Sequence, residues 1–221
     1  MTDSTNTTER LINRLGEDLE PVRPLPRLRS AFAIVLAVWA TFLGLVVLGT
    51  DAAIATGSLM GNQIYLASFV GLVVAALGGT ASALAAGVPG REKVETIGMM
   101  FAAVGLFAGA IACLVGIQSL GTGAPNSPPG LDAMCFREGA LLSLLPAGVI
   151  LSFLVRGWTA RPVRAAMIAL LGAGALGAVV VHLNCGFLGP KHVLLGHMSV
   201  PIVLIALGVY PVGFVLRRMR G

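Results

Sequence analysis

Cysteine and histidine are the residues best able to do chemistry in this sequence, and they are few and crowded. There are three of each in 221 residues. His182 and Cys185 stand in an HxxC spacing, and His192 and His197 follow shortly after. Met134 adjoins Cys135, and Met198 adjoins His197. Thiolate with imidazole suits zinc or copper, and thioethers add a preference for Cu(I). The plainer alternatives are a structural disulfide and histidines that hydrogen-bond to loop carbonyls. The cluster as a whole favours ligand binding or sensing. Cys135 and Cys185 are thus the candidate sensory thiols, and with His182, His192 and His197 they are candidate ligands for a transition or heavy-metal ion. Cys113 reads as a small buried hydrophobe outside the site. The three cysteines contain no CxxC pair, so a thioredoxin-type redox centre is absent and no catalytic residue is assigned.

The elements that must position these residues are membrane helices. The chain is 56% hydrophobic and only 11% charged, where a soluble domain carries about 25% charged residues. A net charge of +5 could suggest a nucleic-acid partner, but the basic residues punctuate apolar runs instead of forming a patch. A spanning helix needs about 20 apolar residues. Such runs fall at about 31–49, 63–88, 96–118, 139–155, 165–181 and 193–216, with the longest loop at 121–130. The first run lies behind a long charged tail and is too long for the apolar core of a cleavable signal peptide.

The loop charges set the orientation. Thirteen of the fifteen Lys and Arg residues fall on one side of this six-helix alternation, and only Arg137 and Lys191 fall on the other. By the positive-inside rule both termini are cytoplasmic, so the expected fold is all-α, multi-pass, in a bacterial inner membrane. Gly105 and Gly109, and Gly172, Gly174 and Gly177, are expected at helix contacts, where small residues let backbones approach. Helices four and five form a hairpin about Ala160, and Cys135 and Cys185 lie equally far from that centre. With a constant rise per residue, both return to the same height on the periplasmic side, an oxidising compartment.

Residues 1–29 form a cytoplasmic tail ahead of the membrane domain at 30–221. Asn6 with Glu9 resembles a capping box, and Leu11, Ile12, Leu15 and Leu19 fall on one helical stripe. Pro21, Pro24 and Pro26 end the helix. A helix this short is marginal alone in water, so its stripe needs lipid headgroups, the bundle's own inner face, or a groove on a soluble protein. Five acidic residues in the tail count against anionic lipid.

The tail reading LINRLGEDLEPVRPL, the six-helix body, a cysteine before helix four and the ending HLNCGFLGPKHVLLGHMSVP together resemble the NrsF-type negative regulators of bacterial extracytoplasmic-function sigma factors. The resemblance covers nearly the whole chain. It implies a membrane anti-sigma factor that holds a sigma factor at the inner face and releases it under metal or oxidant stress. It also implies that Cys135 and Cys185 are the family's two cysteines, and that the tail stripe binds the sigma factor. Gly196 stands where the family often has a tryptophan, and Cys113 has no counterpart. Two rivals are a heavy-metal transporter or other metal-binding membrane protein, and a membrane thiol oxidoreductase. Transport usually leaves ionisable groups along the pathway, and the apolar cores of helices one, two, four and five have none.

Overall fold

The computed structural model describes residues 3–17, 26–49, 61–121 and 127–219. The described residues are helical with short connections. Helix α1 covers Asp3–Glu17. Six further helices are long and apolar enough to cross a membrane: α2 (Leu28–Leu48), α3 (Gln63–Ala86), α4 (Glu92–Leu120), α5 (Leu131–Arg156), α6 (Pro162–Asn184) and α7 (Pro190–Arg218).

Helix α6 is the axis of the bundle. Its residues are buried along almost the whole length, from Ala165 to His182, and it packs on α3, α5 and α7. Close approach depends on glycine. A Cβ on Gly79 would stand 2.7 Å from the Cα of Gly172, and one on Gly71 would stand 2.5 Å from the carbonyl oxygen of Gly105. The glycines of α4 and α6 therefore lie at helix contacts, as their small size predicts. Helix α2 flanks this core, and its Trp39 donates an indole hydrogen bond to the Leu176 carbonyl at 3.1 Å.

Neighbouring helices run antiparallel, so the basic termini gather at one end. Arg27, Arg29, Arg91, Lys93, Arg156, Arg161, Arg164, Arg217 and Arg218 lie at helix ends on that side, and Arg137 and Lys191 lie at the opposite end. At the basic end Arg164 pairs with Glu95 at 2.8 Å, and the Trp158 amide donates to the Gly87 carbonyl at 3.0 Å.

Several helices run past the ends expected from hydropathy. Helix α5 begins at Leu131, after Gly130 turns the chain at a φ of 83°, so Cys135 lies inside the helix and not before it. Asp132, Arg137 and Glu138 interrupt the apolar run yet remain helical, because they sit at the end of the bundle. Helix α5 is also broken at Ser143. Pro146 lacks the amide that would bond to the Leu142 carbonyl, which breaks the ladder there. Helix α6 extends to Asn184 and α7 starts at Pro190, leaving only residues 185–189 between them.

Helix α1 starts at Asp3, so Asn6 is an internal residue and not a cap. Leu11, Ile12 and Leu15 are 58–61% exposed, while Leu19 and Pro21–Pro24 lie outside the described residues.

Candidate functional site

Three chain segments deliver one cluster at the end of the bundle away from the basic residues. Helix α5 brings Cys135, the end of α6 brings His182 followed by Cys185, and α7 brings His192 and His197. In an α-helix, residues five apart point about 140° apart at 3.6 residues per turn. Residues Val193–Met198 instead form a π-helical turn. The wider turn brings His192 and His197 round to nearly the same side, and such turns recur at functional sites.

Cys135 and Cys185 approach to 3.8 Å between their Sγ atoms as free thiols. Their expected equal height is thus accompanied by contact. His192 Nε2 lies 3.2 Å from Cys185 Sγ. One ligand atom each from Cys135, Cys185, His192 and His197 lies within 4.8 Å of all the others, and all four residues are buried. His182 stands behind this group, with its ring stacked on Tyr65 at 3.9 Å.

The hydrogen bonds determine which ring nitrogens carry protons. His182 Nε2 faces the Tyr65 carbonyl at 3.2 Å, and a carbonyl only accepts, so this nitrogen donates. In neutral imidazole the other nitrogen is then an acceptor. His182 Nδ1 therefore receives a hydrogen bond from His197 Nδ1 at 2.9 Å. That leaves a lone pair on His197 Nε2, which is buried without a hydrogen-bond partner among the described residues. A buried unsatisfied polar atom costs about 1–3 kcal/mol. His192 is fixed similarly, because its Nδ1 donates to Asp132 Oδ1 at 2.6 Å and its Nε2 points at Cys185. Hydrogen bonding to Cys135 above all holds the Cys185 thiol well below its ordinary range against the opposing effect of burial. The thiolate is the form that binds metals and attacks oxidants.

Phe187 closes the outer side, edge-on to the His192 ring at 5.3 Å. At Gly196 a Cβ would meet the Asp132 carbonyl oxygen, Cys135 Cβ and His192 Cε1, each at 3.4 Å. A side chain as large as tryptophan there would have to displace the cluster's own members. Met134 is 45% exposed and turned away, and Met198 packs against Gly109 of α4. Neither thioether joins the four close atoms. Cys113 is buried in a separate apolar cluster with Tyr65 and Leu72.

The family model described as "negative regulator of sigma F" matches residues 15–217. The chain belongs to the NrsF family. Neither a curated protein nor a solved structure matches it. The match contains all four clustered residues, His182 and Asp132, whereas Leu11 and Ile12 of the α1 stripe precede it. Membership makes this chain a negative regulator of a sigma factor.

Asp132, Tyr65 and Phe187 join the cluster of this NrsF-family chain without having been singled out in the sequence. Asp132 had a signal, since an acid three residues before a cysteine falls on the same helical face. Tyr65 had none, because it arrives from α3, far away in the chain.

Proposed function

We propose that the protein is a membrane-bound anti-sigma factor of the extracytoplasmic-function class, with both termini in the cytoplasm of a bacterium and its cysteine cluster in the periplasm. In the resting state the stripe Leu11, Ile12, Leu15 and Leu19 holds the sigma factor at the inner membrane. A metal ion or an oxidant acting on Cys135 and Cys185 shifts α5, α6 and α7, and the inner face lets the sigma factor go. The observation that carries this reading is the pair of buried thiols 3.8 Å apart, at the end of the bundle opposite the basic helix termini. The exposed leucines and isoleucine of α1 supply the apolar face that such a partner needs.

Reversing occupancy from 99% to 1% needs about 5.5 kcal/mol of differential stabilisation. Structural zinc sites supply about 10–16 kcal/mol in favourable cases, so the cluster is large enough for the task. The test is a sigma-dependent reporter in cells carrying the full chain. Cys135→Ser and Cys185→Ser should repress normally and fail to induce with metal or oxidant. Leu11→Ala with Ile12→Ala and Leu15→Ala should lose repression and co-purification of the sigma factor. Full induction in both serine variants would sink the sensor reading.

A further inference from the structure

The cluster has the form of a coordination shell, and we infer that it holds one tetrahedral divalent cation of the zinc and cadmium class. The ligands are Cys135 Sγ, Cys185 Sγ, His192 Nε2 and His197 Nε2, with His182 and Asp132 as positioning residues. This deepens the sensor reading, and rests on it only for the claim that occupancy matters to the partner.

Spacing is the first argument. Two sulfurs each about 2.3 Å from a tetrahedral zinc lie about 3.8 Å apart, and the thiols stand 3.8 Å apart in the structure. A disulfide would require about 2.05 Å. Ordinary contact between two thiols has a similar separation, so the nitrogens decide. Sulfur and nitrogen on the same ion lie about 3.6 Å apart. Cys185 Sγ and His192 Nε2 are at 3.2 Å, and the largest separation within the group is 4.8 Å. The group is looser than a filled site, and all four atoms remain within 4.8 Å of one another.

The second argument is independent of spacing. His197 Nε2 is fully buried, has no hydrogen-bond partner among the described residues, and carries a free lone pair because His182 fixes its tautomer. A cation is the partner that such an atom lacks. His192 is presented in the same way by Asp132, the carboxylate–histidine arrangement that orients metal ligands. Four protein ligands leave no open coordination position, which suits a structural or regulatory ion and not a catalytic one. Two sulfurs and two nitrogens select a tetrahedral ion over square-planar Cu(II). With Met134 turned outward and Met198 packed on Gly109, the thioethers that would favour Cu(I) are missing from the shell.

The test uses the full chain, reduced and metal-free, in lipid nanodiscs, with Co(II) as the spectroscopic probe. One equivalent of Co(II) should bind with thiolate charge-transfer bands and tetrahedral d–d bands, and Zn(II) should displace it. Cys135→Ser and His197→Gln should remove both the stoichiometry and the bands, whereas Cys113→Ser should match the parent. His182→Gln should keep one equivalent and weaken it by about 10–100-fold. Parent-like elution and helicity in each variant exclude misfolding as the cause. Bands without thiolate character, or Co(II) binding unchanged in both Cys135→Ser and His197→Gln, would overturn the inference. If no ion binds while the serine variants still fail to induce, the ion is refuted and the sensor stands. An intact ion site with normal induction in the serine variants refutes the sensor instead.

Discussion

Removing the Asp132 carboxylate tests whether the histidines are held for a ligand or merely packed. Its Oδ1 accepts from His192 Nδ1 at 2.6 Å, in the short range of charge-assisted hydrogen bonds, which are roughly twice as strong as neutral ones. Asp132→Asn keeps an acceptor oxygen and loses only the charge. Because the Asp132 side chain is 31% exposed, solvent screens part of that charge. The expected loss of zinc affinity is about tenfold, or about 1.4 kcal/mol. Asp132→Ala also leaves the His192 N–H without its partner and frees the ring, so its loss should approach about 100-fold, or about 2.7 kcal/mol. Competition with a chelator in nanodiscs reads both values, and the metal threshold of a sigma-dependent reporter should move by the same factors. Parent affinity in Asp132→Ala would refute the positioning argument. A much larger loss with altered cobalt bands would refute it differently, by making Asp132 a direct ligand.

Four further outcomes follow from the packing. Gly79→Ala places a methyl against the Gly172 backbone, which cannot yield as a side chain does; it should destabilise the bundle by about 1–3 kcal/mol. Gly148→Ala meets nothing among the described residues within 4 Å and should leave the thermal midpoint level or higher. Trp39→Phe removes the indole bond to Leu176 and should cost about 0.6 kcal/mol, typical of interhelical hydrogen bonds in a membrane; an unchanged midpoint would show that this bond does not pin α2. Phe187→Ala should speed alkylation of Cys185 in the metal-free chain, since the ring covers the His192 side of the site; equal rates would place the entry route elsewhere.

The transmembrane pattern was legible because lipid imposes a simple rule on composition, and Arg156, Arg161 and Arg164 mark the turn between α5 and α6 without ambiguity. The helix ends were less legible. Asp132, Arg137 and Glu138 look like loop residues to a hydropathy scale, yet a helix can continue through polar residues where it leaves the apolar layer, and Cys135 rides on that extension. The nearness of Cys135 and Cys185 was readable as equal height, because helical rise is constant. Their 3.8 Å contact depends on helix rotation, which glycine contacts such as Gly177 against Gly139 determine. The HVLLGH spacing was the least legible. Read on an ordinary helix it separates His192 from His197, and only the π-helical turn unites them. The inferred separation of ligands from positioning residues was likewise unreadable, since it depends on which nitrogen of His182 faces the Tyr65 carbonyl.

Metal and oxidant make opposite demands on the same two sulfurs. A bound ion keeps them at about the 3.8 Å they already have and draws the two histidines of α7 inward. A disulfide draws the sulfurs to about 2.05 Å as each thiol gives up a proton and the pair passes two electrons to the oxidant. It then leaves too few thiolates to hold an ion against His192 and His197. In the proposed sensor the two signals would therefore exclude one another, and they would pull on different partners: the ion would couple α5 to α7, and the disulfide α5 to the segment after α6. Helix α6 is buried along almost its whole length and is the least free to move, so in the proposed sensor displacement would fall to α5 and α7, which the Ser143 break and the π-helical turn already interrupt. Both helices end in arginines at the basic end, Arg156 on α5 and Arg217 with Arg218 on α7. That is the surface where a change at the cysteines would be felt by a protein held at the other side of the membrane.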